Sequence, residues 1–271
     1  MLAFGNDGSA KRLRMQKVLI STRMLLMAGS LTGIHVATAR ADEISATPYR
    51  PTVSNPAALP TPGFLEVEAG WQRANGGDAA HRSSVPWLLK YAFTDRFGVL
   101  VGGESALAVT DTAGYEQHGQ GDTSLILKCK LPLNDWSAFG VEAGRKFSTA
   151  SNRLGSGEAD DTINGIYSAQ IGDFTVDTNL DLTRLGLSDA GQSRQQYGWA
   201  SAVSHPLTAQ WGATLELSGT RRDGAGSTRQ MLAAVSYNVA PRIVLDAGTA
   251  WGLNRASPNT ALFSGITVLF N

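Results

Sequence analysis

Leu65-Glu66-Val67-Glu68-Ala69-Gly70-Trp71-Gln72 alternates apolar with polar or small residues without a break. A strand points successive side chains to opposite faces. This stretch therefore sets Leu65, Val67, Ala69 and Trp71 on one face and Glu66, Glu68, Gly70 and Gln72 on the other. The same period of two recurs down the chain, as in Val85/Trp87/Leu89/Tyr91/Phe93, Thr123/Leu125/Leu127/Cys129/Leu131, Leu207/Ala209/Trp211/Ala213/Leu215/Leu217 and Leu262/Ile266/Val268/Phe270. About twelve such segments of about ten residues follow one another, an even number.

The connections between them alternate in length. Short turns are expected at Thr94-Asp95, Leu133-Asn134-Asp135, Gly172-Asp173, Ser204-His205-Pro206 and Ala240-Pro241. Between these lie longer polar stretches, at 74–82, 110–120, 146–161, 184–194, 220–227 and 254–260. A soluble sandwich has no reason to keep long and short connections in strict alternation, whereas an outer-membrane barrel has short periplasmic turns and longer external loops. A soluble sheet would also need something to cover its apolar faces, and no helical segment is available for that. The sequence predicts an all-β fold, a transmembrane antiparallel β-barrel over residues 63–271.

Strand parity assigns the second face to the lumen. It carries Glu66, Glu68, Lys90, Glu104, Asp122, Lys128, Lys130, Glu142, Asp177, Asn179, Asp181, Glu216 and Asp246. Acids outnumber bases there, so an open pore is expected to favour cations or neutral solutes. Lys128 and Lys130 are expected to pair with Glu104 or Glu142 from neighbouring strands. The aromatic residues crowd toward strand ends, where they read as an interfacial girdle, with a sugar- or aromatic-binding track as the lesser reading. Cys129 falls on the lipid side and reads as an inert apolar residue.

Upstream of the barrel, residues 42–62 hold Pro48, Pro51, Pro56, Pro60 and Pro62, half of the 10 prolines. Proline has no N–H to give to a ladder, so this is an extended arm. It reads as a tether, with a plug that enters the lumen as the alternative. Residues 1–41 have the layout of a secretory signal: the basic Lys11, Arg12, Arg14, Lys17 and Arg23, an apolar run from Met24 to Val36, and Ala39-Arg40-Ala41 as the cleavage pattern. A membrane-anchoring helix is disfavoured because Gly29, Ser30, Gly33 and His35 interrupt the run.

The whole chain has formal net charge +0, but six of its 23 basic residues and one of its 23 acids lie in residues 1–41. The remainder carries 17 bases and 22 acids, a net −5, with no basic cluster, which argues against nucleic acid as a partner. One cysteine cannot form an internal disulfide, and no Cys/His spacing suits zinc or an iron–sulfur cluster. No Walker loop, dinucleotide fingerprint or HExxH occurs, so neither a cofactor nor a metal is expected.

Two stretches carry a family resemblance. Arg50-Pro51-Thr52-Val53-Ser54-Asn55-Pro56-Ala57-Ala58-Leu59-Pro60-Thr61-Pro62-Gly63, running into Glu66-Val67-Glu68, resembles the entry segment of the meta-pathway phenol-degradation outer-membrane transporter family. So does Gly121-Asp122-Thr123 continuing to Lys128. The resemblance implies an outer-membrane barrel that passes small, often aromatic, molecules, and it brings no catalytic or binding residues to transfer. Partners expected on this basis are outer-membrane lipid and lipopolysaccharide, a small-molecule solute and the barrel assembly machinery. One departure is that Phe270 is followed by Asn271, where outer-membrane proteins usually end on the aromatic itself.

His81-Arg82-Ser83 offers an enzyme reading, because a Ser-His pair two residues apart on an outward strand face can serve a lipid hydrolase. Such a pair needs a third polar group, and parity sets Leu107 and Val109 opposite it, so an ordinary polar loop edge is the expectation. A lipid-modifying barrel enzyme and a structural barrel with a plugged lumen remain the alternatives to a pore. Continuing the outward parity to the external strand ends brings up Arg73, Arg145, Arg184, Arg221 and Arg255. These are expected to face lipopolysaccharide phosphate, most tightly where Arg221 and Arg255 come together.

Overall fold

The computed structural model describes residues 44–271 except 78, 152 and 153. The expected signal segment, residues 1–41, lies outside the described residues. The described chain has thirteen strands: β1 Leu65–Gly76, β2 Ala79–Ala92, β3 Phe97–Thr110, β4 Glu116–Gly119, β5 Thr123–Asn134, β6 Ser137–Phe147, β7 Asp160–Ile171, β8 Phe174–Arg184, β9 Gln195–Pro206, β10 Trp211–Arg222, β11 Thr228–Ala240, β12 Ile243–Gly252 and β13 Thr260–Phe270.

Twelve of them form the wall. Each pairs antiparallel with its neighbour in sequence, and β1 pairs with β13 from Leu65↔Phe270 to Asn75↔Thr260, which closes the ring. Closure leaves no free edge, the condition for spanning a bilayer with strands. The short β4 is not part of the wall. It folds back on the external end of β3, from Leu107↔Gly119 to Thr110↔Glu116, while the other end of β3 pairs with β5. No described helix is long and apolar enough to cross a membrane.

The apolar parity faces outward. Leu89, Leu127, Ile163, Leu180, Leu215 and Leu245 are exposed, while Glu66, Glu68, Lys90, Lys128 and Glu216 are almost completely buried. Aromatic side chains ring the short-turn end of the outer surface, among them Tyr91, Phe93, Phe97, Trp136, Phe139, Phe174, Trp211 and Phe270. Several pack in pairs, such as Tyr91 with Phe93 and Trp211 with Tyr237. Cys129 is free and half-buried.

Three local expectations are corrected. The long external stretch expected at 74–82 is a tight hairpin, because β1 runs to Gly76 and β2 begins at Ala79. Gly76 and Gly77 make the turn at φ +81° each, a conformation that costs glycine little. The turn expected at Ser204–Pro206 lies at 207–210, closed by the Leu207 N–H on the Trp211 carbonyl. Pro206 thus ends β9, and Leu207 does not start β10. A bulge at Ser105 also changes register, since Val85 pairs with Ala106 but Pro86 pairs with Glu104. An extra residue flips the parity beyond it, which turns Leu107 to the buried inner face.

Candidate functional site

The arm fills the short-turn half of the barrel, so the tether reading gives way to a plug. It enters at that end, where the Ala46 N–H meets the Pro241 carbonyl between β11 and β12, and climbs. Thr47 N–H donates to Glu66 Oε2 at 2.7 Å and Tyr49 N–H to Glu68 Oε1 at 2.7 Å. Arg50 turns past β13 to β12 and meets Asp246 with two hydrogen bonds of 3.1 Å. The apex lies at mid-height. There Val53 and Ser54 N–H donate to Glu216 at 3.1 and 2.8 Å, and Asn55 N–H donates to Asn179 Oδ1 at 2.6 Å.

The return limb descends past Lys128, whose Nζ donates to the Pro56 carbonyl at 2.5 Å, and past Ser168, which accepts the Ala57 N–H at 2.7 Å. It leaves where the Gly63 N–H meets the Ala92 carbonyl, just before β1. Partners on β1, β2, β5, β6, β7, β8, β10 and β12 surround the arm, so it lies inside the ring. The tether reading failed because proline removes donors only at its own positions. The arm's intervening N–H groups find the inward carboxylates, and both sides need those partners once buried.

Small residues on the wall make room. A Cβ at Gly265 would sit 2.3 Å from Arg50 Nε, and one at Gly140 would sit 3.1 Å from the Ala57 Cα. Between them Tyr49 is clasped by two ammonium groups, Lys90 Nζ at 3.7 Å and Lys128 Nζ at 4.1 Å from its ring centroid, a cation–π sandwich. Lys90 also pairs with Glu66 at 2.5 Å and with Glu68. Lys128 pairs with Glu142 at 2.9 Å, and Glu142 accepts from Asn55 and from Asn164 as well.

Every residue expected to line the lumen can now be placed. Glu66, Glu68, Lys90, Lys128, Glu142, Glu216 and Asp246 are buried in this ionic cluster around the arm. Asp177 is partly buried and accepts from Ser168, which also holds the arm. Lys130 lies toward the short-turn end, half-buried. Glu104, Asp122 and Asp181 lie toward the loop end, above the arm. Of the expected pairings for Lys128, the Glu142 one forms. Glu104 instead pairs with Arg82 at 2.6 Å, and Asp122 shares Lys146 with Asp160, at 3.2 and 2.8 Å. Sequence reasoning missed Arg50, Arg82, Lys146 and Asp160 as inner groups. The parity rule was signal enough for Arg82, two residues from Ser84 on the inward register.

Above the apex is a cavity of about 390 Å³. Val53 and Asn55 of the arm form its floor, and Ile126, Asn164, Asp181, Ala200 and Gln230 stand among its walls.

On the outer surface Arg73, Arg145, Arg184, Arg221 and Arg255 are all exposed. Asp161 stands in register with both Arg145 and Arg184 and pairs with Arg145 at 3.0 Å. Arg221 lies 3.9 Å from Asp223 in its own loop. His81 meets Asn75 of β1 at 2.8 Å, while the bulge sets Ala108 and Thr110, not Leu107 and Val109, opposite Ser83 and His81. Among the described residues no hydrogen bond joins Ser83 to His81.

A closed twelve-stranded antiparallel barrel with an apolar outer wall and a charged interior defines an outer-membrane β-barrel. The chain belongs to the family described as "Putative MetA-pathway of phenol degradation", whose model matches residues 50–270. Among solved structures it is similar to the COG4313 outer membrane channel from Pseudomonas putida F1, with TM-score 0.63 and 15% identity over 84% of this chain and 98% of that one. It is also similar to the KdgM porin, with TM-score 0.55 and 11% identity over 76% of this chain and 99% of that one. At these identities the likeness speaks to the fold. No curated protein sequence matches the chain.

Proposed function

We propose that the protein is an arm-gated channel that admits small neutral or cationic solutes, aromatic ones among them, across the outer membrane. The observation that carries this reading is the arm apex, bonded to Glu216, Asn179 and Glu142 on three different strands, with a solute-sized cavity open above it. The arm holds the lumen shut chiefly with polar contacts that water can replace, with Ala57 packed on Ala138 and Ile166, and this makes it a displaceable plug. Its departure would bare Glu216 and Asp246 and remove Arg50, leaving an acidic passage. A KdgM porin structure is described as a complex with disordered oligogalacturonate, an acidic ligand. The acidic inner face here favours the opposite charge. The reading is tested by planar-bilayer recording of the chain with and without residues 42–62: the full chain should be mostly closed, and the shortened one should conduct with cation preference.

The proposed partner on the outside is lipopolysaccharide, met by Arg73, Arg145, Arg184, Arg221 and Arg255. Each is exposed near a loop-side strand end, and arginine's planar fork suits phosphate while its stem lies along acyl chains.

A further inference from the structure

Asp181 on β8 differs from the other inward carboxylates. Around the arm, Glu66 and Glu68 are held by Lys90, Glu142 by Lys128, Asp246 by Arg50 and Glu216 by backbone N–H groups. Asp177 takes the Ser168 hydroxyl. Near the loops Glu104 has Arg82, and Asp122 and Asp160 share Lys146. Among the described residues Asp181 has only the Thr183 hydroxyl at 3.5 Å, the limit of a hydrogen bond. It leans over Gly198 of β9, where any Cβ would overlap its carboxylate, and so projects into the cavity above the arm.

Its neighbour points the same way chemically. Asn164 stands directly across from Asp181 in the β7–β8 register. Its Nδ2 donates to Glu142 Oε2 at 2.9 Å, and since a carboxylate only accepts, that contact fixes which end of the amide faces Glu142. Asn164 Oδ1 is then left buried with no donor among the described residues. Two acceptors, one of them charged, thus stand side by side in register, and among the described residues their only donor is the Thr183 hydroxyl at the limit of a hydrogen bond. Such groups cost free energy unless something fills the position. The other charged groups lining the cavity do not fill it, because Glu142 is held by Lys128, Lys146 by two carboxylates and Arg145 by Asp161. Val53, Ile126 and Ala200 supply an apolar surface beside the pair.

We infer that this cavity is a binding site for a small organic cation, a primary ammonium on a compact apolar body. Its N–H groups would donate to the Asp181 carboxylate, and its body would lie against Ile126, Ala200 and the arm residue Val53. A hydroxyl brings one proton and no charge, and an anion meets a carboxylate. The inference deepens the channel reading and rests on it only for the site's use as a way station.

Titration calorimetry of the full, arm-bearing protein in detergent tests it with three probes of nearly equal shape: benzylammonium, benzyl alcohol and benzoate. Benzylammonium should bind about tenfold more tightly than the alcohol, and benzoate should not bind. Asp181→Asn should abolish the ammonium advantage, whereas Asp95→Asn, an equal charge change in an exposed turn at the opposite end, should leave it intact. Equal binding of the three probes by the unmodified protein, or undiminished benzylammonium binding by Asp181→Asn, would overturn the inference. Because calorimetry reads the arm-closed state, a protein that binds the ammonium but never conducts would refute the channel reading and leave the site standing.

Discussion

Arg50 lies three residues before Val53 at the arm's apex, yet its partner Asp246 lies 196 positions further along the chain. Two hydrogen bonds to a nearly buried carboxylate make the pair a lock on the arm, worth about 1.5–3 kcal/mol for a charged contact. Arg50→Gln should therefore raise the open fraction of the channel severalfold in single-channel records. Asp246→Asn should do the same, and the double variant should cost little beyond either single one. Additive effects would mean that the two act separately. This lock shows where a sequence stops being legible. Parity put Glu66, Glu68, Glu216 and Asp246 on the inner face because the period of two is a local property. What those carboxylates bind depends on contacts 18 to 196 residues apart, which no local pattern encodes. One clue was present all the same: so many carboxylates turned inward need partners from somewhere, and an arm with free N–H groups and an arginine precedes the first strand.

Among the elements, the arm and the wall are matched in shape as well as charge. Gly265 on β13 is glycine where a Cβ would strike Arg50, a side chain whose tip can shift. Gly265→Ala is expected to displace Arg50 and increase conductance without altering any charge, while the heat stability of the barrel changes little. Unchanged conductance would show that Arg50 does not hold the gate. Removing residues 42–62 altogether should leave strand content intact by circular dichroism and raise conductance further. The strands themselves were legible because outward leucines and inward charges alternate over whole segments. Their irregularities were not. The Ser105 bulge is announced only from across the hairpin, by Pro86, which has no N–H to give to the ladder, and β4 is four residues, too short for a period to register.

For the whole molecule, the sign of the inner field and the outer collar of arginines give two further expectations. Reversal potentials of the arm-deleted channel in a salt gradient should show cation preference, and replacing Lys128 and Lys130 should deepen it; anion preference would refute the acidic-passage reading. Arg221→Gln with Arg255→Gln should lower thermal stability in lipopolysaccharide-containing membranes and not in plain detergent, while equal loss in both would reject the collar. The U-shaped course of the arm carries a kinetic consequence. Blocker and receptor are the same chain, so re-entry is unimolecular and the local concentration of the blocker is of the order of millimolar, whatever the protein's abundance. A free peptide copying residues 42–62 should then compete poorly with the resident arm, yet restore block to the arm-deleted channel at millimolar doses. It should do so only from the short-turn side, because both limbs leave the barrel there.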